Sequence, residues 1–152
     1  MAEYIPDEID KGILQLLSEN ARISVKEIAK ELYISSPTVS NRIRRLEEKK
    51  LIHGYMTSID YKAFGYHIKA FINLEVEPVD KDEFYPFIAS IPNVIECSCV
   101  TGDYSMLIEV LYQRTEELDH IINQLQRFGR TKTLIAFSTP VEHRNISLIE
   151  EK

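Results

Sequence analysis

Between Leu51 and Ile68 the apolar spacing of this sequence changes from three-to-four residues to two, and that change limits what the chain can fold into. Before it, apolar residues recur at helical spacing. Ile9, Ile13, Leu16 and Leu17 form one stripe, Val25, Ile28, Ala29 and Leu32 a second, and Val39, Ile43 and Leu46 a third. After it, Ile68, Ala70, Ile72, Leu74 and Val76 alternate with His67, Lys69, Phe71, Asn73 and Glu75, as in a strand with one face inward. A helical first half therefore precedes a strand-bearing second half.

Local signals divide the first half into helices. Pro6-Asp7 suits a first turn, and Asn20-Ala21-Arg22 interrupts the stripe after Glu19. Ser24-Val25-Lys26-Glu27 has capping-box spacing, so a second helix starts there. Tyr33-Ile34-Ser35-Ser36 reads as a turn ending in N-cap residues ahead of Pro37, with a third helix running to about Lys49. Three short helices, the last two joined by a tight turn, match the helix-turn-helix unit.

On the third helix, Pro37, Asn41, Arg44, Arg45 and Glu48 centre opposite the apolar stripe, with Thr38 and Ser40 beside them. Any solvated helix face can carry such residues; the capped helix and tight turn before this one give it a nucleic-acid reading. The residues expected to meet DNA are Ser36, Pro37, Thr38, Ser40, Asn41, Arg44, Arg45 and Lys49. Arg42 lies at the edge of the apolar stripe, placed either to brace a neighbouring acid or to meet DNA.

A net charge of −6 looks wrong for a partner of DNA until it is divided along the chain. Residues 1–53 carry nine Lys/Arg and nine Asp/Glu, whereas 54–152 carry nine and fifteen, so the acid belongs to the second half. Within 36–50, five basic residues face two acidic ones, a local +3. A local patch is what meets phosphate.

The second half reads as alternating strands and helices. Residues 55–60 form a short β-prone linker followed by a turn at Ala63-Phe64-Gly65, then a strand spans 66–77 and stops at Pro78. Asp80-Lys81-Asp82-Glu83 has capping-box spacing and opens a helix with Phe84, Phe87, Ile88 and Ile91 inward, closed by Pro92-Asn93. Strands at 94–101 and 105–112 flank Gly102-Asp103-Tyr104, which has hairpin length. Thr115 is placed to cap a last helix containing Leu118, Ile121, Ile122, Leu125 and Phe128, Gly129 ends it, and a final strand runs from Lys132 to Val141.

That order, βαββαβ, is the ferredoxin-like arrangement, and the fold class expected is α+β. The domains are then 1–53 (helix-turn-helix), 54–65 (linker strand and turn) and 66–152 (ferredoxin-like). Both helices cover one sheet face. Phe71, with Ile135 and Phe137 or their alternates, leaves the other too apolar for water, so an isologous homodimer is expected.

Cys97 and Cys99 point to one face of one strand and are read as core thiols, since His53, His67, His120 and His143 are scattered and complete no metal site. No cofactor is called for. No apolar run approaches the roughly 18 residues of a membrane span, and the acidic N-terminus is unlike a secretory signal, so a cytoplasmic location is expected.

Taken in order, Asp7-Glu8-Ile9-Asp10 with Ile13-Leu14, Asn20-Ala21-Arg22, Glu27-Ile28-Ala29, Ile34-Ser35, Arg42-Ile43-Arg44-Arg45-Leu46-Glu47, Ile52-His53-Gly54-Tyr55 and Gly102-Asp103-Tyr104 resemble the leucine-responsive regulator/asparagine-synthesis regulator family, the feast/famine transcription regulators. The resemblance covers nearly the whole chain. It implies a dimer built through the second-half domains, often assembled into octamers, with amino acids bound between dimers near residues 102–105. Effector contacts carried over in this way are Gly102, Asp103, Tyr104, Ser105, Thr131, Thr133, Leu134 and Ile135. At Ser105 the family pattern has an aspartate, the partner of an effector's ammonium, so a weak response to simple amino acids is expected.

Two other function classes compete. An enzyme finds no phosphate-cradling glycine loop, no nucleophile elbow and no metal-spaced cluster in this sequence. A metabolite-sensing or protein-interaction module without DNA binding differs from a DNA-binding regulator in salt dependence, because neutralising several phosphates makes binding fall steeply with salt.

Overall fold

A computed structural model describes residues 4–149, which divide into two units: 4–58 together with 142–149, and 59–141. The second domain read from the sequence ran on to 152, whereas residues 142–149 group with the helical unit and 150–152 lie outside the described residues. There, Asn145 Nδ2 donates to the Ser18 carbonyl at 3.3 Å and the Leu148 N–H to Gln15 Oε1 at 3.1 Å.

In the first unit α1 (Glu8–Glu19), α2 (Val25–Glu31) and α3 (Ser36–Glu48) form where the stripes predict them. Each start is fixed by a side chain taking an orphan amide of the first turn. Ser24 Oγ accepts the Glu27 N–H at 3.1 Å while Glu27 accepts the Ser24 N–H at 2.9 Å, and Ser35 Oγ accepts the Thr38 N–H at 3.3 Å. The Ser24 hydroxyl also binds the Glu27 carboxylate and holds its pKa below the ordinary value. Ile13, Ile28, Val39 and Leu46 are fully buried where the three helices meet. Each contributes roughly 1.5–3 kcal/mol of transfer free energy.

The second unit is a four-stranded antiparallel sheet in the order β2-β3-β1-β4, with β1 (Ile68–Leu74), β2 (Val94–Cys99), β3 (Met106–Tyr112) and β4 (Thr131–Ile135). Between strands run α4 (Lys81–Ala89) and α5 (Thr115–Leu125), completing βαββαβ. Ala70, Ile72, Leu74, Met106, Ile108 and Val110 pack from the sheet against Phe84, Ile88, Leu118, Ile121 and Leu125, and Phe84 meets Phe128 edge to face at 5.4 Å. Gly129 permits the turn into β4. Its φ is +152°, and a Cβ there would lie 1.8 Å from the Glu75 carbonyl oxygen.

Four local expectations are corrected. Residues 55–60 form no strand; no described strand runs beside them to form a ladder, and an isolated strand leaves its ladder groups unmatched. Asp80 caps nothing. Pro78–Asp80 already turns as a 3-10 helix, leaving Asp80 at φ −91°, ψ −6°, and an N-cap needs an extended backbone. Arg114, extended at φ −131°, ψ 150°, is the cap residue of α5, and Thr115 is its first helical residue. The last strand ends at Ile135: its pairing with β1 runs from Thr131 to Ile135, and beyond it the Ala136 N–H makes one more bond, to the Lys69 carbonyl at 2.9 Å.

The sheet register settles which side chains share a face. Phe71 lies opposite Leu134 and Glu109, so Leu134, not Ile135, joins Phe71 on the helix-free side, where Leu107 and Leu111 also stand. Ile135 pairs with Ala70 on the helix side of an edge strand and stays half exposed. On the open face Lys69 Nζ meets Glu109 Oε1 at 2.8 Å. The core-thiol expectation holds for Cys97 alone: it packs against the core, and burial pushes its thiol up to about 11. Cys99 is exposed, its Sγ 3.4 Å from the Tyr85 hydroxyl and 3.5 Å from Met106 Sδ.

Candidate nucleic-acid interface and sensing end

The solvent side of α3 is built by its own geometry. With Val39 and Leu46 anchored in the core, a helical period turns Pro37, Thr38, Asn41, Arg44, Arg45 and Lys49 outward, and all six are exposed; Ser36 and Ser40 are half-buried beside them. Among the described residues none forms a hydrogen bond or ion pair with the side chains of Asn41, Arg44 or Lys49. Two basic groups and a carboxamide thus stand with all their donors free.

Arg42 is not part of that array. Its Nη1 reaches both Asp7 oxygens at 2.7 Å and Asp10 Oδ1 at 2.9 Å, which settles the open choice in favour of bracing. Asp10 is 1% exposed and needs this cation, because an unpaired buried carboxylate is unstable. The two acids also close a capping box on each other, Asp10 N–H to Asp7 Oδ1 at 2.9 Å and Asp7 N–H to Asp10 Oδ2 at 3.2 Å. The Arg42 guanidinium holds the Asp7 carboxyl below its ordinary range, and the two acids raise the pKa of Arg42 in return. The start of α1 is in this way tied to the middle of α3.

Sequence reasoning missed Tyr4. Its hydroxyl bonds to Asp10 Oδ2, and its ring lies 4.3 Å under the Arg45 guanidinium. No local pattern marks that contact; the Asp7-x-x-Asp10 spacing, which matches a capping box, would have revealed the acid pair. At the other end of α3, Tyr55 donates to Glu47 Oε1 at 2.9 Å, and its pKa is raised, first by burial and then by that carboxylate.

At one end of the sheet the structure brings several expected effector contacts together around the end of β1. Ser105 N–H donates to the Leu74 carbonyl at 3.1 Å, and Thr131 pairs with the same Leu74 from the other side. Arg130, beside Thr131, stacks over the Tyr104 ring at 5.0 Å and pairs with Glu75 at 3.2 Å. Gly102 and Asp103 are exposed, Gly102 at φ +114°. Thr133 and Ile135 lie further along β4 on the helix side and Leu134 on the opposite side, so the eight residues do not share one surface. Two clefts of about 430 and 310 Å³ lie on the helix side, and neither is lined by residues 102–105 or by β4.

The model of winged helix-turn-helix DNA-binding domains matches residues 6–53, and that of the Lrp/AsnC ligand binding domain matches residues 69–146. The HTH-type transcriptional regulator LrpB of Bacillus subtilis is 32% identical over 146 residues, spanning 96% of this chain and 98% of that protein. Among solved structures, Bacillus subtilis LrpC superposes with a TM-score of 0.85 at 25% identity over 92% of this chain and all of that one. Escherichia coli AsnC superposes with a TM-score of 0.84 at 28% identity, covering 95% of this chain and 99% of the other. With the capped three-helix unit, the braced third helix and the βαββαβ sheet, these likenesses place the chain in the Lrp/AsnC family of HTH-type transcriptional regulators.

Proposed function

We propose that the chain regulates transcription by binding DNA as a dimer, each α3 lying in a major groove of one half-site. The observation that carries this reading is the outward array of Asn41, Arg44 and Lys49, unpaired among the described residues, while Arg42 is consumed internally. Asn and Arg on such a face suit bidentate contacts to adenine and guanine. Ser36, Thr38 and Ser40, near the start of the helix, suit phosphate oxygens, as does Lys49. One short helix covers too little surface for useful selectivity, so two are needed.

The pairing surface proposed is the helix-free face of the sheet, where Phe71, Leu107, Leu111 and the half-exposed Leu134 surround the Lys69–Glu109 ion pair. An apolar patch with a polar centre suits an isologous contact between copies. For the regulatory input, the 102–105 turn and Thr131 form the end where a small metabolite would act, and Thr133, Leu134 and Ile135 would reach it only across an interface with another copy. The proposed site of action is the cytoplasm, in keeping with the DNA-binding regulators that the chain resembles.

The test is footprinting with salt titration. Two protected half-sites about 34 Å apart, or a multiple, are expected. Log affinity should fall linearly with log salt, by about 0.9 per phosphate neutralised. Binding indifferent to salt favours the protein-interaction reading, and one unrepeated half-site covered by a monomer rules out the dimer.

A further inference from the structure

Resting on the DNA-facing role of α3, we propose that Tyr4 is a positioning residue for DNA recognition, a platform that orders the Arg45 guanidinium before DNA arrives.

The argument starts from Asp10. Its carboxylate is buried, with Oδ1 taken by Arg42 and Oδ2 by the Asp7 N–H and the Tyr4 hydroxyl. That last bond raises the Tyr4 pKa, so the phenol keeps its proton and remains a donor across the neutral range. It also fixes where the ring sits. Bonded at its far end to a carboxylate that is itself locked, the ring of a residue outside any helix is held against α3.

The ring carries Arg45 at 4.3 Å from guanidinium carbon to ring centroid, well inside the range of a cation–π contact. A guanidinium stacked by its face keeps its in-plane N–H edge free. Among the described residues none accepts a hydrogen bond from that edge. The edge is what grips a guanine O6/N7 pair or a phosphate bidentately. An unstacked arginine must give up rotamer freedom when DNA binds, whereas one already stacked has less to lose. Arg42 and Arg45 are three residues apart on one helix, yet the same Asp10 assigns them different tasks. It consumes the first directly and, through Tyr4, presents the second.

A double-mutant cycle tests this, using a duplex recovered from a random-sequence pool by the wild-type chain. Tyr4→Leu is expected to weaken binding about two- to fivefold, the range of an exposed cation–π contact. Tyr4→Phe, which keeps the ring but frees it from Asp10, should recover only part of that loss, and on Arg45→Ala the change Tyr4→Leu should make no further difference. Nitrogen relaxation of the Arg45 Nε–H in the free protein gives a second reading: ordered in wild type, less ordered in Tyr4→Phe, whose ring has lost its bond to Asp10, and mobile in Tyr4→Leu. Should Tyr4→Leu fail to fold, the relaxation comparison of wild type with Tyr4→Phe decides alone, and a mobile Arg45 in wild type overturns the proposal. A Tyr4→Leu loss that persists undiminished on Arg45→Ala also overturns it and leaves the DNA reading intact. Recovery of no duplex, or wild-type affinity in Arg45→Ala, removes the DNA-facing role of Arg45 and the proposal with it.

Discussion

The Ser105 hydroxyl accepts the Val76 N–H at 2.8 Å and lies 3.2 Å from the Val76 carbonyl, to which it donates in return. Its proton and one of its acceptor lone pairs are thereby spent on extending the pairing of β1 beyond Leu74, so this side chain is a strand clamp before it is anything else. A carboxylate in its place could still take the Val76 N–H but would face the Val76 carbonyl oxygen with no proton to offer.

Calorimetric titration with leucine, lysine and asparagine is therefore expected to give no tight binding to the wild type. Ser105→Asp should gain an ammonium-binding response worth about 1.5–3 kcal/mol, since it restores a charge-assisted acceptor. Ser105→Ala should speed amide exchange at Val76. Submicromolar binding of any of the three amino acids to the wild type would contradict the assignment of Ser105 as a clamp.

Asp7 gives the first unit a pH dependence whose sign is fixed. Its folded pKa lies below the ordinary 3.8, chiefly because of the Arg42 hydrogen bond. The unfolded chain then takes up the proton first, so the stabilisation is fully present above about pH 4 and is lost as pH falls through the folded value. Asp7→Asn retains an N-cap acceptor but loses the charge. The stability gap between wild type and Asp7→Asn, followed by urea unfolding, should be constant from about pH 7 to 5 and close as pH falls below about 4. Arg42→Ala, which strands the buried Asp10, should be harsher at pH 7, by about 2–4 kcal/mol.

What was legible in the sequence was local. Ser24 and Glu27 are three residues apart and Phe71 alternates with its neighbours, so a cap and a strand could be read from adjacent positions. The Arg42 pairs span 32 and 35 residues, and nothing near Arg42 names its acid. In β4, Thr131-Lys132-Thr133-Leu134-Ile135 offers two adjacent aliphatic residues, and only the register against Phe71 decides which faces outward. Asp80 shows two local signals in conflict: its spacing fits a cap, but Pro78 has already started a turn that denies it the cap backbone. Of the candidate DNA face, the helix and its exposed side were readable, while the Tyr4 platform depends on tertiary placement of a residue in no periodic element.

Gly129 should tolerate no side chain. Its φ of +152° strains any L residue, and the 1.8 Å approach to the Glu75 carbonyl leaves the backbone to move, since that atom belongs to no flexible side chain. Gly129→Ala is expected to destabilise the second unit by about 3 kcal/mol or more, because strain and overpacking act together. Gly54→Ala is the control: nothing lies within 4 Å of where a Cβ would stand, and a change within about 0.5 kcal/mol is expected. Equal unfolding midpoints for the two variants would show that the α5–β4 connection relaxes freely around residue 129.

The outward residues of α3 differ in what they should do. Asn41 is exposed two turns from the end of the helix and offers a carboxamide that matches adenine N6 and N7, so Asn41→Ala should relax sequence preference at one base position. The expected loss on the preferred duplex is roughly 1–3 kcal/mol, with little change on a duplex altered at that base. Lys49, the C-cap residue of α3, carries a point charge with no fixed direction, suited to phosphate and blind to sequence. Lys49→Ala should weaken binding to all duplexes alike and make the salt slope shallower by about one unit. The measurement is affinity for a matched and a single-base-altered duplex at several salt concentrations. If Asn41→Ala lowers affinity equally for both duplexes, Asn41 meets backbone and the base reading of this face fails; if Lys49→Ala leaves the salt slope unchanged, the end of α3 does not touch phosphate.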